Sequence, residues 1–160
     1  TFQRMVPMSE VPQNADLESL GLPPIDQVGF VVKSVDDAID RYGAMFGPFT
    51  RMDGSVQDAT FRGRQEDVQL DILFGRSGDI EIEFIEWKGG WSPHREFIEL
   101  GREGMHHLRY RVEDTDGWIE KLAPHGYDAI WYKKLNKDIV FSYLERKGDP
   151  LLIEFLQMPG

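Results

Sequence analysis

The residues able to do chemistry in this 160-residue chain are few and concentrated. Two glutamates sit inside the same tripeptide, Ile82-Glu83-Phe84 and Ile153-Glu154-Phe155. Two of the four histidines are adjacent, His106-His107, in the run MHHLRYRV that also carries Arg109 and Arg111. Successive side chains on a strand face opposite sides, so a glutamate between two large apolar neighbours is aimed away from the face they bury. Carboxylates and an imidazole so placed are suited to general acid–base work. Cysteine is absent, which excludes disulfide scaffolds, thiolate zinc sites and cysteine nucleophiles. No Gly-rich phosphate loop, nucleophile elbow or HExxH pattern occurs.

The elements that must position these groups follow from periodicity. Residues 1–24, with Pro7, Pro12, Pro23 and Pro24, read as an arm in which Ala15–Leu20 has room for one helical turn. Ile25–Val32 (IDQVGFVV) is a β-rich run; Ser34 is an N-cap for a helix whose apolar side is Val35, Ala38, Ile39, Tyr42, Met45 and Phe46, ended by Gly47-Pro48. Three strand-like runs follow, Ala59–Arg64, Val68–Phe74 and Ile80–Trp87. After residues 88–104 the order recurs: strand Met105–Val112, helix Thr115–Ala123, then strands Tyr127–Tyr132, Asp138–Leu144 and Leu151–Gln157. Alternation puts Gln27, Gly29 and Val31 on one face of the first strand, and His107, Arg109 and Arg111 on the matching face of the fifth, with His106 pointing the other way. In the connecting segment, Gly89-Gly90 offers a hinge for a lid, and His94–Leu100 reads as a short helix packed on the sheet. Trp118 and Trp131 read as core residues.

The strand–helix–three-strand module therefore occurs twice. An offset of 80 pairs Gln27 with His107, Val32 with Val112, Asp36 with Asp116 and Ile39 with Ile119; at the module ends Glu83 pairs with Glu154 at an offset of 71. A longer loop in the first module accounts for the difference.

Hydrophobic residues at 41%, charged residues at 29% and a length of one domain describe an ordinary globular chain. The formal charge of -10 argues against nucleic acid and anionic membranes as partners. No run of 18 apolar residues is present, and a cytoplasmic location is expected.

The paired βαβββ module, opening in IDQVGFVV and GMHHLRYRV and closing in IEIEFIE and LLIEFLQ, resembles the vicinal oxygen chelate superfamily of glyoxalases, methylmalonyl-CoA epimerases, extradiol dioxygenases and bleomycin-resistance proteins. The resemblance spans residues 25–158 and implies an α+β fold: an eight-stranded, cup-shaped mixed sheet with helices on its outer face. Module one is then 25–87, the connection 88–104 and module two 105–158. It implies one divalent metal ion in the cup, held by Gln27, Glu83, His107 and Glu154. One imidazole, two carboxylates and an amide suit Zn, Mn, Co, Ni or Fe(II). Much of the family has His where Gln27 stands, and an amide is the weaker ligand. Without a metal, His107 is expected to hydrogen-bond Glu83 or Glu154.

The activity so implied is that of an epimerase, isomerase or lyase working through an enolate on a small, largely apolar carbonyl substrate, with Glu83 and Glu154 as catalytic base and acid. Arg109, Arg111, Trp87 and Tyr143 are candidate substrate contacts, although a salt bridge from Arg109 or Arg111 to Glu81 is the alternative. The rival class is a metal-free sequestering protein; an extradiol dioxygenase is disfavoured because Gln27 removes one of the two His it would need. A homodimer is expected, as is common in the superfamily.

Overall fold

The structure is a computed structural model, and it describes Val6, Ser9, Val11 and residues 19–160. Most of the expected arm, including most of Ala15–Leu20, lies outside the described residues. The elements run β1 (Gln27–Val32), α1 (Val35–Phe46), β2 (Thr50–Asp53), β3 (Val56–Phe61), β4 (Arg64–Ser77), β5 (Ile80–Gly90), α2 (Pro93–Glu99), β6 (Gly104–Arg111), α3 (Thr115–Leu122), a 3-10 turn (Ala123–His125), β7 (Tyr127–Lys134), β8 (Val140–Arg146) and β9 (Leu152–Gln157). Both module helices start as their caps dictate: Ser34 accepts from the Asp37 N–H, and Asp114, 80 residues on, accepts from the Gly117 N–H.

Eight strands close a ring in the order β4-β3-β7-β8-β9-β6-β1-β5, with β5 hydrogen-bonded back to β4, and β2 attached outside on the second half of β4. The expected mixed, cup-shaped sheet with outer helices is present. In each module the first and last strands are parallel, β1 with β5 and β6 with β9, while β1 and β6 meet antiparallel at the centre. The register repeats too: Gln27 faces Glu81 as His107 faces Leu152, so each module's glutamate lies two residues beyond the partner of its Gln or His.

One expectation is corrected here. The extra residues of the first module do not form a longer loop; β2 is the counterpart of β7, and the additional chain forms β3, which bridges β4 to β7 and closes the ring. The strand expected at Ala59–Arg64 overlaps β3 at Ala59–Phe61, its start displaced by a register shift, while β2, exposed along its whole length, had no counterpart among the expected strands.

The outer faces explain why the glutamates point inward. Phe84 lies within 5.0–6.3 Å of the rings of Phe30, Tyr42, Phe46 and Phe49, the seam that fixes α1 to the sheet. Phe155 plays that part for α3, stacked on Trp118 at 5.7 Å and beside Tyr110 at 5.9 Å. Burying such a ring stabilises by roughly 1.5–3 kcal/mol. With Ile82 and Phe84, or Ile153 and Phe155, committed to the helices, Glu83 and Glu154 have only the cup to enter. The cup's apolar filling includes Val31, Phe61, Ile85, Phe97, Trp131 and Leu152.

Candidate active site in the cup

Four strands deliver one polar cluster. His107, fully buried on β6, directs Nε2 toward Gln27 Oε1 at 3.1 Å, Glu83 Oε1 at 3.3 Å and Glu154 Oε1 at 3.4 Å. The Gln27 amide orientation follows from its network, because Nε2 donates to Glu81 Oε1 at 2.7 Å and leaves the oxygen for His107. Gly29 stands directly across from His107 in the β1–β6 ladder, and a Cβ there would overlap the imidazole. Glycine at 29 is what lets the ring lie flat against β1.

The two glutamate side chains are about one-tenth exposed, 10% for Glu83 and 13% for Glu154, so they form the accessible edge of the cluster. Burial pushes the Glu154 carboxyl up to about 7, reinforced by Glu83 and opposed by His107 and Arg109. Arg109 closes that side: its guanidinium forks onto Asp26 at 2.9 and 3.1 Å and reaches Glu81 at 3.4 Å. The predicted Glu81 contact is present, and Asp26 is the stronger partner. Burial opposes the charge on Arg109, but the Asp26 hydrogen bonds and the nearby carboxylates hold its pKa above the ordinary value.

His106 corrects the sequence reading. The β1–β6 register shifts between Gly29 and Phe30, which pair with His107 and Met105, so His106 is the unpaired residue of a β-bulge. Alternation fails there, and His106 turns into the cup, its Nδ1 3.0 Å from His107 Nδ1. A bulge leaves no mark in hydrophobic periodicity, which is why alternation alone missed it.

His94 was not singled out for the site from sequence, whereas Tyr143, a candidate substrate contact there, is brought against the cluster. His94, on α2, spans Ser92 Oγ and the Tyr143 hydroxyl, at 3.0 Å each. Burial, aided by His107, pushes it down to about 3 and keeps it neutral. The Tyr143 ring packs 4.8 Å from His107, and burial together with Glu154 and Glu83 pushes its hydroxyl well above the usual tyrosine value.

Arg111 and Trp87 are not brought to the cluster. Arg111 donates to the Met158 and Pro159 carbonyls, and Trp87 donates to the Gly90 carbonyl beneath the Arg95 guanidinium. Helix α2 forms as expected, but Gly89 and Gly90 end β5 paired to β4, so they are ladder rather than hinge. Trp131 is buried core; Trp118 is half-buried against Phe155.

The donor set suits a divalent ion: one imidazole nitrogen, one amide oxygen and two carboxylate oxygens, with no sulfur. Separations of 3.1–3.4 Å from Nε2 match the edges of a coordination shell with bonds of roughly 2.1 Å. In the arrangement shown, the oxygens turn on the ring nitrogen itself, and no group of three or more His, Asp or Glu among the described residues is disposed around a common ion position. The set therefore fits a metal by its chemistry, while His107 satisfies it through direct contacts.

A closed βαβββ pair with this inward quartet defines a glyoxalase-like protein. Residues 26–143 match the glyoxalase/bleomycin resistance protein/dioxygenase superfamily, and the chain belongs to it. Solved structures share the fold at low identity. A hypothetical protein from Bacillus halodurans C-125 superposes with a TM-score of 0.61 at 22% identity, over 86% of this chain and 95% of that one. Methylmalonyl-CoA epimerase from Mycobacterium tuberculosis gives 0.58 at 18% identity, over 87% and 90%. A 4-hydroxymandelate synthase mutant from Streptomyces coelicolor gives 0.58 at 15% identity, over 87% of this chain and 50% of that one. No curated protein matches the chain. No helix among the described residues is long and apolar enough to cross a membrane.

Proposed function

We propose that the chain is a divalent-metal-dependent epimerase, isomerase or lyase that moves a proton next to a carbonyl of a small, largely apolar substrate. The observation that carries this reading is the convergence of Gln27, Glu83 and Glu154 on His107 Nε2, from four strands related by the duplication. Gln27, Glu83, His107 and Glu154 are the residues that would hold the ion. When bound, such an ion supplies Lewis-acid polarisation of the carbonyl oxygen.

The chain's own groups supply the rest. In the metal-free chain burial pushes Glu154 up to about 7, so this carboxyl, when not engaged by the ion, can hold or release a proton near neutrality as a general acid–base group requires. Glu83, its counterpart by duplication, lies 3.3 Å from the same His107 Nε2 that Glu154 meets at 3.4 Å. Two carboxylates so gathered provide one group to remove a proton and another to return it. Arg109 pairs with Asp26 and reaches Glu81, which also accepts from the Gln27 amide and so orients it. A ring-cleaving site is less well supported, since the second nearby imidazole, His106, faces His107 Nδ1 rather than the quartet. The metal-free binding reading has one observation in its favour: His107 already meets both glutamates directly.

The test is elemental analysis of untagged protein before and after incubation with Mn, Co, Ni, Zn or Fe(II), with His107→Ala alongside. About one equivalent of metal, lost in the variant, together with solvent deuterium entering an enolisable carbonyl substrate, is the expected result. A wild type that takes up none of the five ions overturns the metal-dependent reading and leaves the sequestering one.

A further inference from the structure

A cavity of about 450 Å³ opens beside α2, bounded by that helix, the start of β9 and the turn before it, and the neighbouring ends of β7 and β8. Its apolar wall is Phe97, Ile130 and Leu152, continuous with the filling of the cup. Its volume is within the range of small-molecule sites.

His106 also lines this cavity and is only 1% exposed. Its Nδ1 is engaged by His107, and no hydrogen-bond partner for its Nε2 is present among the described residues. No fully enclosed side-chain nitrogen or oxygen there lacks a partner, so the unpartnered Nε2 is the atom His106 shows to the cavity. A buried imidazole nitrogen facing an apolar wall asks for a hydrogen-bonding group.

The rim sets the charge. Arg62 forks onto Glu96 and Glu145 with contacts of 2.7–3.2 Å, strapping α2 to β8 and offsetting one of their two negative charges. Asp149 pairs with Arg146 at 3.4 Å and accepts from the Leu151 N–H. Arg102 alone among the charged lining residues has no ion-pair partner among the described residues.

We propose that this cavity is a second ligand site, separate from the quartet, for a small organic anion with a flat apolar body: the body packs on Phe97, Ile130 and Leu152, a hydroxyl meets His106 Nε2, and the carboxylate meets Arg102. Binding draws on Nε2 and not on the face of His107 that meets the glutamates, so it needs no metal. It stands or falls independently of the reading above.

The experiment is calorimetric titration of the whole chain, in chelator-containing buffer, with 6-hydroxy-2-naphthoate, 2-naphthoate and 2-naphthol. The expected order places the hydroxy acid tightest, with loss of the hydroxyl costing about fivefold in Kd. His106→Phe preserves an aromatic ring against His94 and Phe97 and is expected to remove that fivefold advantage while leaving 2-naphthoate unchanged. Arg102→Ala is expected to weaken both carboxylates several-fold, but not 2-naphthol, and the effect fades at high salt. Because His106→Phe can also disturb the fold, the histidine side-chain nitrogen resonances of the wild type give a second readout. The His106 Nε2 signal should shift with the hydroxylated ligands and stay in place with 2-naphthoate. No binding of any probe at millimolar concentration, or binding indifferent to both substitutions and to His106 Nε2, overturns the proposal.

Discussion

Replacing Gly29 by alanine tests the whole construction of the site. An added Cβ would overlap the His107 ring at Cε1 and Nε2, and would lie 2.6 Å from Nδ1, well inside the 3.4 Å of an ordinary contact. The ring must move by about 1 Å or more, yet it is fully buried and held by Gln27, Glu83, Glu154 and His106. Forced repacking of this kind costs about 1–3 kcal/mol. Separating the imidazole from its buried partners adds about 1–3 kcal/mol. The expected loss is therefore about 2–6 kcal/mol, read by urea denaturation of metal-free protein. Isothermal titration of a divalent metal into any folded Gly29→Ala protein should show weakened uptake. The matched control is Gly43→Ala, whose Cβ meets nothing within 4 Å in the middle of α1 and which should stabilise by about 0.5–1 kcal/mol. If Gly29→Ala unfolds within about 0.5 kcal/mol of wild type and its His107 resonances are unmoved, the packing of His107 against β1 is wrong and the quartet loses its hub.

The remaining predictions concern charge and caps. Glu154 is raised from 4.5 to about 7 by burial, so the fold favours its protonated form: its contribution is full below about 4.5 and is lost as pH climbs to about 7. At about 1.4 kcal/mol per tenfold change in proton affinity this is on the order of 3 kcal/mol. In metal-free buffer, Glu154→Gln should gain stability relative to wild type between pH 5 and pH 8, and parallel urea curves at both pH values would contradict the burial argument. Ser34→Ala removes the hydroxyl that accepts from the Asp37 N–H and should cost about 1 kcal/mol, seen as an earlier urea midpoint with an unchanged slope. Arg62→Ala releases Glu96 and Glu145, and proteolysis within residues 91–102 should accelerate while β-sheet circular dichroism stays constant.

Much of this architecture was legible because the duplication constrains two segments at once. Neither IEIEFIE nor LLIEFLQ is decisive by itself, but together they name Phe84 and Phe155 as helix-facing and Glu83 and Glu154 as inward-facing, as the aromatic seams now show. What escaped was a fully exposed strand and whatever depends on an inserted or skipped residue. Strand β2, four exposed residues, carries no alternation that could expose it, and β3 was met only at Ala59–Phe61 because its register shifts between Val56 and Ala59. The bulge at His106 moves one imidazole from the expected outer face into the cup without changing the composition of the strand. Arg111 and Trp87 share a face with site residues, but strand length carries them to contacts of their own. Face is readable from alternation; position along the cup requires register.

The broken symmetry of the quartet follows from where β1 meets β6. These strands run antiparallel, so exchanging the modules maps the pair Gln27–Arg109 onto the pair His107–Gly29. The two cross-strand pairs are equivalent by duplication and opposite in how they divide volume. In one, a large ring takes the space that glycine yields; in the other, a shorter amide leaves room for a guanidinium. Charge follows the same division. The first module brings Asp26 and Glu81 to the Gln27 side, and Arg109 is there to meet them, while Leu152 replaces Glu81 on the His107 side and needs no counter-charge. Gln27 is thus bound to its surroundings by Glu81 as firmly as His107 is by Gly29. A histidine at 27 would lose the amide N–H that satisfies Glu81 in this geometry. Restoring an imidazole there should therefore require a compensating change at Glu81, and Gln27→His with Glu81→Gln should recover stability that Gln27→His alone loses, a coupling that a double-mutant cycle measures directly.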